Sequence, residues 1–122
     1  MAVKKRMFQN DLKPDYSVVL TDVQTDSEGR VLSTVVVDLS TAVAVRVIGV
    51  ITPTNGVATP KFDRDATTTN SQGVVTMQWV HGDTDTLGLI STEVEVMWPG
   101  NKPQTFRPPE LVQILADLGG TA

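Results

Sequence analysis

The chain has 122 residues, 40% of them hydrophobic and 20% charged, with a net charge of −4 and no cysteine. That length suits one domain with a modest core, and the acidic balance works against the lysine- and arginine-driven binding that nucleic acids and anionic membranes require. Without cysteine there are no disulfides, thiolate metal sites or thiol nucleophile, which fits assembly in a reducing cytoplasm.

Residues 1–13 open Met-Ala-Val-Lys4-Lys5-Arg6 and continue to Phe8 with no apolar run after the basic cluster. No secretory signal is expected there, and the segment reads as an N-terminal arm outside the folded domain. Alternation then sets in. Tyr16, Val18 and Leu20 share one side and Ser17, Val19 and Thr21 the other, a first strand running to Asp22. Asp26–Gly29 reads as a turn, and Val31–Val37, rich in β-branched residues, as a second extended stretch. Asp38 and Ser40 interrupt it by offering side-chain oxygens to nearby amides.

Val43–Ile51 is the most apolar strand, with Val43, Val45, Val47 and Ile51 opposite Ala44, Arg46, Ile48 and Val50; Arg46 marks a partly covered face. Pro53–Gly56 is a turn. Lys61–Thr69 reads as a polar strand near an edge. Asn70–Gly73 turns into Val74–Trp79, which points Val75, Met77 and Trp79 one way. In Leu89–Trp98 the residues Ile90, Thr92, Val94, Val96 and Trp98 form one face, and Glu93 and Glu95 place the other in water. Pro99–Lys102 returns the chain into Gln104–Arg107, predicting a hairpin. Pro108-Pro109 halts pairing. In the tail segment 108–122, Leu111, Ile114, Leu115 and Leu118 fit a short C-terminal helix, whereas Val112, Ile114 and Ala116 alternate as a strand would. About seven short strands separated by turns predict a single all-β domain over residues 1–122, an immunoglobulin-like β-sandwich, with a small closed barrel as the alternative.

No motif carries catalysis. His81, the single histidine, lies in a turn-rich segment with Asp83 and Asp85 but without a Gly-x-Ser-x-Gly elbow. The pairs Asp63/Asp65 and Asp83/Asp85 lack the spacing of a calcium loop; Asp83 reads as a turn cap and Asp65 as a surface carboxylate with a basic neighbour. Glu93 and Glu95 read as a solvated face. Trp79 and Trp98 read as core; exposed, they would make a sugar platform. No catalytic residue, cofactor or metal is expected.

Several runs in order carry a resemblance: Phe8-x-x-Asp11 with Pro14, Leu20-Thr-Asp22, Val37-Asp-Leu-Ser-Thr-Ala42, Gly73-Val-Val-Thr-Met-Gln-Trp79, Gly82-Asp-Thr-Asp-Thr-x-Gly88, Glu93-Val-Glu-Val-x-Trp98 and Gln104-Thr-Phe106. Together they span roughly residues 8–118. The set resembles small tailed-bacteriophage structural proteins similar to the N-terminal domain of siphophage upper baseplate proteins. The resemblance implies an immunoglobulin-like sandwich that is not an enzyme, present in many copies or as a homo-oligomer on the virion and assembled in the host cytoplasm. It also implies attachment to other virion proteins of the tail or baseplate, or of the capsid as a decoration protein, and a strand over 111–116. A sugar-binding module of a receptor-binding device is the competing role. Because the N-terminal arm is expected to lie outside the sandwich, Lys4, Lys5, Arg6 and Phe8 are the expected partner-binding residues, with the proline-led tail as a second contact.

Overall fold

A computed structural model describes residues 4–66, 71–108 and 110–116. These form ten strands and no helix: β1 (Lys4–Phe8), β2 (Tyr16–Val19), β3 (Thr21–Thr25), β4 (Val31–Val36), β5 (Ala44–Pro53), β6 (Thr59–Asp65), β7 (Val74–Met77), β8 (Gly88–Trp98), β9 (Lys102–Phe106) and β10 (Leu111–Leu115). They pack as a β-sandwich.

The larger layer has the order β1-β10-β8-β5-β6. It is built on β8, whose inward residues Ile90, Thr92, Val94 and Val96 are buried, the outcome that strict alternation demands of a sheet wet on one side. Strand β5 follows one edge of β8 without a break, from Ala44 opposite Met97 to Pro53 opposite Gly88. The other edge is shared: β9 takes Val94–Trp98 and β10 takes Gly88–Ile90. From Phe106 to Val112 the chain advances six positions, while β8 between their partners Val94 and Ile90 advances four. The two surplus residues fall in the span that holds Pro108, which has no N–H to give the ladder. The β8–β9 hairpin is as expected, and β6 is the predicted edge strand but ends at Asp65; Ala66 is not in a strand, and the rest of the expected run, residues 67–69, lies outside the described residues.

Two expectations are corrected. Residues 4–8 are not a free arm: β1 runs parallel to β10, from Lys4 opposite Leu111 to Phe8 opposite Leu115, and buries Met7 in the core. The tail is not peripheral either, because β10 lies between β8 and β1. Residues 111–115 are strand, with Val112 and Ile114 buried and Leu111, Gln113 and Leu115 half-buried. A helix there would leave the backbone groups of two flanking strand edges unpaired. Leu118, part of the helical reading, lies outside the described residues.

The smaller layer is one long strand with two partners placed end to end. Strand β2 pairs with β7 and β3 with β4, both antiparallel. Leu20 joins the ladders, donating its N–H to the Gly73 carbonyl (2.8 Å) and accepting from the Val37 N–H (3.0 Å). Gly73 sits in this junction at φ +72°, where an added Cβ would lie 2.6 Å from the Leu20 carbonyl oxygen, so only glycine fits. Tyr16, Val18, Val75 and Met77 from this layer close on Val45, Val47, Phe62, Val94 and Val112 from the larger one. Trp79 stands edge-on to both Tyr16 and Phe62, with ring centroids 5.9 and 5.7 Å apart, and its indole N–H reaches the Pro14 carbonyl.

Candidate interaction surface

The sandwich ends where the hairpin begins. At Leu20 (2% exposed) and again at Leu39 (0%) the chain is anchored in the core, but between them every residue of β4 is exposed. Strands β3 and β4 therefore overhang the larger sheet as a two-stranded ribbon with no layer against either face. Val23, Val31, Leu32, Val35 and Val36 are 42–67% exposed, an unusual density of apolar side chains in water. Val19 extends the patch onto β2 at 53%. By alternation through Leu20, one outer face carries Ser17, Val19, Thr21, Val23 and Thr25, flanked by their partners Thr76, Val74, Val36, Thr34 and Val31. No charged residue stands on that face. Charge is confined to Asp22 on the reverse face and to the turn, where Arg30 binds Asp26 (2.7 Å) and Glu28 (3.1 Å). The Asp26 carboxylate accepts the backbone N–H of Arg30, that residue's guanidinium and the N–H of Glu28, which together hold its pKa below the usual range.

The expected partner-binding residues lie elsewhere, on β1. Lys5 shares the Met7 side of β1 but sits at the solvent rim: its Nζ donates to the Ser17 carbonyl, stands 3.3 Å from Glu110 and lies over the Tyr16 ring. These contacts link the two layers while 42% of the side chain stays exposed. Arg6 is exposed, and Phe8 is 47% exposed beside Leu115. Lys4 opens the strand opposite Leu111. The four residues thus share one edge strand without forming an arm. The sequence did mark the hairpin as an extended β-branched stretch; its isolation from the core was the part that went unread.

Several of the polar residues singled out in the sequence are tied into the fold. Asp83 is buried, accepts two bonds from the Arg64 guanidinium and caps the turn by accepting from the Val80 N–H, as expected. Asp85 meets Lys61 and Thr86, and these hydrogen bonds lower its pKa, the lysine contributing most. Asp65 is exposed but has no ion pair among the described residues; Asp63 instead meets Arg46 at 3.2 Å, and Arg46 also binds Glu95 at 3.1 Å across the outer face of the larger sheet. That network explains how an arginine sits beside Ile48 and Val50. His81 is exposed in the turn leading to Asp83. Trp79 is core; Trp98 is half-buried and donates to the Gln104 side chain at 2.9 Å. Among the described residues no group of three or more metal-ligating side chains converges, and no helix is long and apolar enough to cross a membrane. A hollow of about 460 Å³ lies over Met77; of its charged lining, Arg64 is committed to Asp83 and Asp15 to Lys13, while Asp65 has no ion pair among the described residues. No protein-family model and no curated protein matches this chain.

Proposed function

We propose that this protein is a non-enzymatic structural and assembly component of a bacteriophage virion, in the tail or baseplate, present in multiple copies and joined to other virion proteins. The observation that carries this reading is the β3–β4 ribbon, an apolar and largely uncharged projection anchored at its base by buried Leu20 and Leu39. A two-stranded hairpin alone is marginal in water, and three or more strands or a packed face are needed to stabilise it. A surface of this kind serves to be covered by another protein. The run of motifs from Phe8 to Phe106 supplies the particle context by resemblance.

Strand order supports the finer reading of the sandwich as immunoglobulin-like. Strands β5, β8 and β9/β10 correspond to a C-F-G sheet and the β2–β7 ladder to the B–E pair of the facing sheet. In this reading the β3–β4 ribbon is an insertion between the strands equivalent to B and C.

Antibody raised against the folded chain and imaged on purified particles tests the role. Gold label at the tail or baseplate is expected; label on the shell would reassign the protein to capsid decoration, and particles of normal composition without label would refute a virion role.

A further inference from the structure

We infer that the free edge of β4 is a self-pairing strand, joining two copies of this chain through an antiparallel β4–β4 contact centred on Thr34. This rests on the reading of the ribbon as a docking element and is independent of the assignment to a particle. The edge has the polarity the contact needs. The Val37 N–H bonds the Leu20 carbonyl, so by antiparallel alternation Val35 and Ser33 turn their backbone groups to β3, while Thr34 and Val36 turn theirs to the open side. Strand β4 pairs with β3 alone. It reads Val-Leu-Ser-Thr-Val-Val, without charge, proline or lysine, and so lacks the devices by which exposed edges usually avoid pairing.

Charge and geometry select a second copy as the occupant. The chain carries a net charge of −4, so two copies repel on average; a strand with no charge of its own can face itself without adding to that repulsion. A twofold axis through Thr34 sets Thr34 against Thr34 of the second copy, Leu32 against its Val36 and Ser33 against its Val35, using the exposed length of the strand. The contact turns two marginal hairpins into one four-stranded ribbon, β3-β4-β4-β3, which reaches the strand number that hairpins lack alone. Being isologous, it closes at two copies without propagating.

Sedimentation of the full chain tests the inference. The wild type is expected at about twice the 13.2 kDa of one chain. Thr34→Lys and Thr34→Glu, on an exposed site away from the core, are each expected to keep the wild-type circular dichroism and run as monomers. Mixed in equal amounts they are expected to regain the dimer, because opposite charges then meet across the axis. In a chain without cysteine, Thr34→Cys is expected to give a disulfide-linked dimer on mild oxidation, since the paired Cα atoms come within reach of a disulfide. A wild type that stays monomeric at all attainable concentrations overturns the inference, as does a dimer that survives Thr34→Lys. If such a monomer still enters particles while Thr34→Lys does not, self-pairing fails but the ribbon remains a docking element, with a different protein as occupant.

Discussion

Tyr16 joins the two layers with a single hydrogen bond. Its hydroxyl lies 2.6 Å from the Thr92 Oγ1, both side chains being buried. Burial of the ring pushes the phenol pKa above its ordinary 10.0, against the lowering effect of the Thr92 bond, and Glu110 raises it further. A raised pKa in the folded state means the protonated phenol favours folding. Its contribution is whole below pH 10.0 and is lost as pH climbs from there through the higher folded-state value. The Tyr16→Phe variant leaves Thr92 without its partner and is expected to lose about 1–2 kcal/mol at neutral pH. It is also expected to show a shallower fall in stability above pH 10.0 than the wild type. Urea titrations of both proteins at several alkaline pH values check this, and parallel curves would refute the assignment. The measurement is clean because Tyr16 is the only tyrosine.

At the scale of strands, β1 is a structural edge, and its removal carries a thermodynamic penalty. Deleting residues 1–8 takes Met7 from the core and uncovers the outer edge of β10. Truncation of a buried methionine alone costs about 2–5 kcal/mol, so the deletion is expected to lower the urea midpoint by at least that equivalent; an unchanged midpoint would restore the segment to the status of a free arm. The difference between expectation and structure has a physical source. Strands β5 and β8 were legible because one face is dry and the other wet, which writes a period of two into Val45-Arg46-Val47 and Val94-Glu95-Val96. Strand β1 has no such contrast: Lys5 stands on the same side as buried Met7 but at the solvent rim, where it meets Ser17 and Glu110, so a basic cluster disguises a strand that sends Met7 into the core. The β10 segment matched two periods at once, and only its position between two strands decides between them. In β4 each face mixes apolar residues with one hydroxyl, Val31, Ser33 and Val35 on one and Leu32, Thr34 and Val36 on the other, a pattern that a covered strand and an overhanging one share, so exposure could not be read from it.

At the scale of the molecule, the two tryptophans report on different environments. Trp79 is sealed between the layers, while Trp98 lies half-buried at the end of the β8–β9 hairpin. Acrylamide quenching of the native protein is expected to resolve an accessible and a protected population, and Trp98→Phe to leave only the protected one. Uniformly efficient quenching would mean that Trp79 is open to solvent and that the core is misassigned. The sandwich and its overhang also differ in what holds them: the first by side chains meeting across two layers, the second by main-chain ladders and the Leu20 junction. Such a ribbon is a cantilever. Its far end can be lengthened, trimmed or rewritten residue by residue while the load on the pivot stays the same, so the body of the protein is expected to tolerate remodelling there.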